Sequence, residues 1–409
     1  MNCLDLFSGA GGLTEGFVRA GYNIIAHVEK EFSASLTLKT RIAYHYLKQT
    51  NQLKIYYSYL NDEISREKLY SHIPSQLLDS VINEEINDES INDIYNKIDI
   101  LRGNKEIDII IGGPPCQAYS LIGRAASKSK MVGDSRKYLY KQYLKFLKRY
   151  KPKLFVFENV RGMLSSKDEN GNNIFEKIVI EMKEIGYNID YKILDAKDFG
   201  VPQSRKRVII IGWKNELNFK YPDFETIKND ITINQLFADL PKIKAGEKIN
   251  FKKIVPQIEV LSKLNLLDDD FNILSQHISR PNNINDLKIY KIAVNLFKEG
   301  KTLKYTDLPS SLMSHKNLTS FLDRFKVVNG NGISHTMVAH IAKDGHYYIH
   351  PDVKQNRSLT VREAARIQTF PDSYYFENSR TAAFTQIGNA VPPLMAEIIA
   401  NTLKKDSKF

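Results

Sequence analysis

The stretch CLDLFSGAGGLTEGF, residues 3–17, decides the fold expectation. Cys3 to Phe7 is a short apolar run of strand length, and the glycines Gly9, Gly11 and Gly12 follow it at once. Beyond them the chain takes on helical patterning. A strand that passes through a glycine turn into a helix opens a βαβ unit. The glycines let backbone come close to a ligand. Further out, short apolar runs recur at Asn23–Val28, Ile107–Ile111, Leu154–Phe157 and Val208–Ile211, separated by amphipathic segments. This rhythm predicts an α/β fold: a doubly wound, mostly parallel sheet flanked by helices.

Composition divides the chain. Between the second and third runs, Asn61 to Ile100 holds ten acidic residues against three basic ones, read as part of an acidic helical insert over about 40–105. Trp213 to Asn356 loses the strand-to-helix rhythm and reads as a second, smaller domain, leaving 1–212 and 357–409 as the first. The net charge is +11 in 409 residues, and twelve basic residues against two acidic ones fall between Leu121 and Arg161. That face is expected to meet an anionic partner, with the acidic insert turned away. Two cysteines, Cys3 and Cys116, exclude a disulfide scaffold and a four-thiolate zinc site, and no metal is expected. His340, His346 and His350 have no cysteine or carboxylate cluster at ligand spacing and read as structural or phosphate-contacting. The chain opens without a signal-peptide pattern and has no 18-residue apolar run, so no membrane partner and a cytoplasmic location are expected.

Two residues stand out chemically. Glu29 ends the second run twenty positions after Gly9, where a carboxylate accepts hydrogen bonds from ribose hydroxyls. Thr14 occupies the place where a dinucleotide fingerprint wants a third glycine, which weakens a pyrophosphate reading. Cys116, in GGPPCQAYS at residues 112–120, follows the Ile-rich run and therefore sits at the carboxyl end of a central strand, where ligands bind in such sheets. Two prolines fix the backbone ahead of its thiol, the placement of a nucleophile. Cys3 reads as a core residue.

These segments, together with FENV at 157–160, QSRKR at 203–207, RSLTVREAARIQTFPD at 357–372 and QIGNAVPP at 386–393, resemble the DNA cytosine-5 methyltransferases. The resemblance runs from residue 3 to about 400, outside the acidic segment and the second domain. It implies S-adenosyl-L-methionine as cofactor, double-stranded DNA as substrate, and a Cys116 thiolate that adds to C6 of a flipped-out cytosine. It assigns Glu158 to ring N3 and Arg205 and Arg207 to base and phosphate support. Two apart before a strand, these arginines are expected to share a face, with Lys206 turned away. For the cofactor it implies Phe7 against adenine, Gly9, Gly11 and Leu13 lining the turn, Glu29 on the ribose, and Asn389 and Ala390 over the methionine end. The family's acidic adenine contact is not fixed by sequence; Asp62 and Asp93 are both candidates.

For DNA, the basic stretch Ala118–Asp134 carries Arg124, Lys128 and Lys130 and corresponds to the family's closing loop. Gln203 is grouped with the DNA contacts. In the second domain, with 20 basic and 16 acidic residues, Arg280, Arg324 and the polar stretch Asn329–His335 are the expected readers. Ser334–Asp352 alternates like a hairpin turning at Asp344-Gly345. The lysines of the helix over 135–150 read as a solvated face. The overall expectation is a bacterial modification enzyme, with a cognate restriction endonuclease or defence-system proteins as partners. The alternatives are a tRNA cytosine-5 methyltransferase on this scaffold and a non-catalytic DNA-binding relative.

Overall fold

The structure is a computed structural model that describes residues 1–115, 139–268, 271–314 and 317–407. Seven strands form the central sheet: β1 (Asn2–Leu6), β2 (Asn23–Val28), β3 (Val81–Ile82), β4 (Ile109–Gly112), β5 (Leu154–Val160), β6 (Tyr187–Asp195) and β7 (Lys206–Lys214), in the order β3-β2-β1-β4-β5-β7-β6. The first five are parallel, and β7 runs antiparallel between β5 and β6. The five strands expected from sequence are all present. β3 is too short to leave a pattern, and β6 is an edge strand whose residues are mostly exposed or half-buried.

Strand order reverses between β1 and β4, and that reversal opens a crevice at the carboxyl edge. Register brings the ends together there: Leu6 lies beside both Val28 and Gly112, and Gly112 beside Phe157. Phe7, Glu29, Gly113 and Glu158, each one residue further on, therefore emerge side by side. Glycine is required in this row, because a Cβ on Gly113 would fall 2.8 Å from the Glu158 carboxylate and 2.7 Å from its carbonyl oxygen.

Helices cover both faces: α1 (Gly12–Arg19), α2 (Phe32–Gln49), α3 (Ile91–Arg102), α4 (Leu139–Tyr150) and α5 (Ile174–Glu184). After the second region come α6 (Ile284–Lys298), α7 (Val361–Ile367), α8 (Arg380–Asn389) and α9 (Pro393–Asp406). α7 starts at a capping box in which Thr360 and Glu363 satisfy each other's backbone N–H. α9 opens with Pro393 at its first position, where no N–H is needed. Its apolar stripe, Leu394, Ile399 and Leu403, packs into the same core as Phe17 of α1.

The acidic segment is not an appendage. β3 pairs with β2, and Ile91, Ile94 and Ile98 of α3 enter the core on one face of the sheet with Phe146 and Leu147 of α4. Asp88 and Asp99 then meet Lys145 and Arg149 of α4 in ion pairs. Part of the acid therefore neutralises the basic helix instead of facing away from it. Lys141 and Lys148 stay exposed, as a solvated stripe should.

The second region also divides differently from its composition. Residues from Trp213 to Leu274 contribute Phe219, Ile233, Leu236, Leu261 and Leu266 to the core shared with α1 and α9. A core belonging to the second region alone starts only with Ile289 and Tyr290 of α6 and continues through Tyr305, Phe325 and Val327 to Ile349. The expected hairpin at Ser334–Asp352 does not form: Ala339–Ala342 is a 3-10 turn. The Arg280 guanidinium takes the carbonyls of Ile341, Ala342 and Lys343, and the His335 ring takes that of Tyr347, removing acceptors that a hairpin ladder needs.

Candidate active site

Glu158 ends β5 on the row described above. Two strands pair antiparallel there, with Val160 opposite Arg207 and Glu158 opposite Ile209, so alternation puts the Glu158 and Arg207 side chains on one face. Arg207 Nε lies 2.8 Å from Glu158 Oε1, and both side chains keep only about an eighth of their surface exposed, 12% and 13%. An oriented carboxylate that a guanidinium holds in place, open on one side, can hydrogen-bond a heterocyclic N–H. The next residue, Asn159, is buried and donates from Nδ2 to the Pro114 carbonyl at 3.1 Å. That bond ties the Pro114-Pro115 segment to β5. Cys116 follows directly in sequence and lies outside the described residues, as do Arg124, Lys128 and Lys130.

Arg205 stands apart from the Glu158–Arg207 pair. It precedes β7, and its backbone N–H is drawn to Asp195 Oδ1 at 2.8 Å, so strand alternation does not reach it. Its side chain is buried and donates to the carbonyls of Met337 and Gly388. Lys206 is exposed, turned away as expected. Gln203 is fully buried and contacts Gln368 and Met337, which excludes the expected DNA contact. Arg280 and Arg324 are likewise committed to protein carbonyls. Arg324 caps its own loop at Asn317, Ser320 and Phe321 and lies 4.1 Å over the Tyr305 ring. Both guanidiniums therefore brace loops of the protein. Polar residues in loops carry no sequence signal that separates these two roles.

On the other side of the crevice, both carboxylate oxygens of Glu29 accept backbone N–H groups, from Gly9 and Glu31, each at 2.7 Å. Burial pushes its carboxyl above the usual range. Gly9 has φ +55°, and a Cβ there would meet nothing within 4 Å, so the space above it is open. Gly11 and Gly12 face protein: a Cβ on Gly11 would strike Leu38 and Tyr374, and one on Gly12 would fall 2.1 Å from the Val391 carbonyl. Leu13 is a core residue. Phe7 is half-buried with φ +55°, and Asn389 is exposed next to buried Ala390, whose Cβ would lie 3.1 Å from a Cβ built on Gly12. Thr14 is explained here, since its hydroxyl donates to the buried Asp5 carboxylate. Neither Asp62 nor Asp93 stands at the end of β3; both are exposed, on or next to helices. The residue at that edge is Asn83, whose amide donates to the carbonyls of Glu29 and Lys30 at 2.9 and 3.0 Å. The shortness of β3 hid it. His346 and His350 are structural, against Tyr290 and Glu363.

The sequence profile of the C-5 cytosine-specific DNA methylases matches residues 1–66 and 45–405. The chain belongs to that family. It is 44% identical to the type II methyltransferase M.Bpa9945I of Bacillus paralicheniformis, over 99% of this chain and 98% of the relative. It is 32% identical to the type II methyltransferase M.DdeI of Desulfomicrobium norvegicum, over 98% of this chain and 88% of that one. Among solved structures, it resembles a prophage-encoded E. coli protein assigned as a DNA modification methyltransferase, with a TM-score of 0.62, 25% identity and 99% of both chains covered. This methylase therefore transfers methyl groups to C5 of cytosine in DNA, and its parallel sheet with a reversed seventh strand is the fold of that chemistry. No helix among the described residues is long and apolar enough to cross a membrane.

Proposed function

We propose that this methylase acts on a specific double-stranded sequence from S-adenosyl-L-methionine through a covalent Cys116 adduct, as the cytoplasmic modification component of a restriction-modification or related defence system with a cognate endonuclease. The observation that carries the reading is the Glu158–Arg207 pair standing beside the tethered Gly113-Pro114 segment. Three features fit the donor: open space over Gly9, the buried acceptor Glu29, and Asp5 Oδ1, buried with no hydrogen-bond partner among the described residues. When bound, it supplies an electrophilic methyl group on a sulfonium. Phe7, Gly9, Glu29, Asn389 and Ala390 would hold it, with Gly11 and Leu13 shaping the turn from behind.

C5 of cytosine is a poor nucleophile. The Cys116 thiolate adds to C6 of the flipped base, the ring π pair moves toward C5, and Glu158 relieves the charge by hydrogen bonding or protonating N3. C5 would then attack the methyl carbon, whose bond to the sulfonium sulfur breaks with its electron pair left on sulfur as the neutral thioether S-adenosylhomocysteine; loss of the C5 proton to a base restores the ring π bond and expels the thiolate. Arg207 keeps Glu158 aimed. Flipping costs about a few kcal/mol, offset by the closing loop with Arg124, Lys128 and Lys130 and by the unit whose own core begins at α6. Type II methyltransferase names among the relatives support the restriction-modification role.

Bisulfite sequencing of DNA from cells expressing the protein tests the reading. Full protection at one short sequence context is expected. Unprotected cytosines throughout, or protection without any common context, would overturn it.

A further inference from the structure

Gln203, Arg205 and Gln368 are all buried, with at most 1% of their surface exposed, and they are linked through Met337 and the 387–390 backbone. Three segments converge on them: the arm leading into Arg207, the 336–339 stretch of the second region, and the end of α8 that carries Asn389 and Ala390. The hydrogen bonds run in one direction. Met337 N–H donates to Gln203 Oε1 at 2.9 Å, and Gln203 Nε2 donates to Gln368 Oε1 at 2.5 Å. Gln368 Nε2 donates in turn to the carbonyls of Ile387 at 2.6 Å and Ala390 at 3.3 Å. Arg205 closes the ring by donating to the carbonyls of Met337 and Gly388.

The packing leaves this knot no slack. A Cβ on Gly388 would fall 2.3 Å from backbone atoms of Val338 and Ala339, and the residue after Ala390, Val391, presses its carbonyl against Gly12. The stretch Gly388–Val391 is thus held between the glycine loop on one side and the amide pair on the other. A stretch that only filled space would not need a chain of donors, each satisfying the next.

We propose that Gln203 and Gln368 are positioning residues for the methyl donor: their directional amide chain fixes Asn389 and Ala390 relative to the arm that carries Arg207. This rests on the reading that Asn389 and Ala390 seat S-adenosyl-L-methionine. Neither glutamine touches the donor; both act through backbone they hold.

The test is calorimetric titration of the full chain with S-adenosylhomocysteine from pH 6 to pH 9. Gln368→Glu keeps the volume and still accepts from Gln203, but an ionised carboxylate cannot donate to Ile387 and Ala390. Affinity is expected to fall at least tenfold at high pH and to recover toward pH 6, where a protonated carboxyl again donates. Wild type should show no such trend, and binding of both proteins to non-specific duplex DNA should agree within twofold. Gln203→Glu, which keeps the Met337 contact and breaks the link to Gln368, should also lose at least fivefold. A folded Gln368→Glu protein that binds within twofold of wild type across the range would overturn the proposal. So would failure of both variants to fold, which would make the pair a stability element. If wild type itself does not bind S-adenosylhomocysteine, the reading of the site fails instead.

Discussion

Arg207 Nε sits 2.8 Å from Glu158 Oε1 across two antiparallel strands, and this one contact joins FENV to QSRKR, motifs more than forty residues apart. Each strand has a reason to run where it does. β5 is buried along Leu154–Phe157 and β7 beside it along Val208–Ile211, so the pair has core on both faces of the sheet. Glu158→Gln keeps the shape and removes the charge that stabilises a protonated N3. Turnover is expected to fall about 10²-fold or more, with DNA affinity and melting temperature nearly unchanged, measured by methyl transfer and thermal unfolding.

Gly113→Ala should damage the same carboxylate without touching its chemistry. The new Cβ would overlap both the backbone and the side chain of Glu158. Overpacking of this kind costs roughly 1–3 kcal/mol. Activity should drop more than stability, because the displaced carboxylate loses its aim while the sheet survives. Equal activity in the variant would show that the close approach is not maintained in the working enzyme.

Arg324→Ala separates structure from recognition. Its donors serve the carbonyls of Asn317, Ser320 and Phe321, so the variant should lower the melting temperature yet leave the slope of log affinity against log salt for duplex DNA unchanged. A slope reduced by about one would restore it as a phosphate contact.

Acid should unfold this protein early. Burial, reinforced by nearby Lys326 for His335 and by Arg357 for His350, pushes both rings down to about 4. A histidine whose folded value lies below its unfolded value of about 6.5 contributes full stability above pH 6.5 and loses it as pH falls toward 4. Glu363 acts in the same direction at lower pH: burial opposes its charge, but Arg357 and His350 hold its carboxyl well below the usual range, so its contribution is lost only below about pH 4.3. Denaturant midpoints should fall steeply between pH 6.5 and 4. His335→Phe, which keeps the stack on Tyr348, should flatten that slope, and an unchanged slope would contradict the assignment.

The sheet was legible wherever strands are fully buried, because a continuous apolar run leaves a plain pattern; Asn23–Val28 matches to the residue. β6 was not, since its edge position leaves it half-polar, and β3 has two residues. Glu158 and Arg207 were both named from the family motifs, but their ion pair was not, because it depends on which strands lie side by side. Arg205 lies one residue before the strand begins, and its backbone N–H and side chain are bound to Asp195, Met337 and Gly388, contacts that the motif alone does not reveal. Charge counting misled most. The acidic run after residue 60 pairs partly with α4, and Arg280 and Arg324 spend their donors on carbonyls, facts fixed by tertiary contacts that composition does not carry.

The most direct test of the account is to transfer tritiated methyl groups to duplex DNA, hydrolyse the product and separate the bases. Wild type should place all label in 5-methylcytosine, and Cys116→Ala should place none. Label in another base, label on tRNA alone, or undiminished transfer by the Cys116→Ala protein would contradict it.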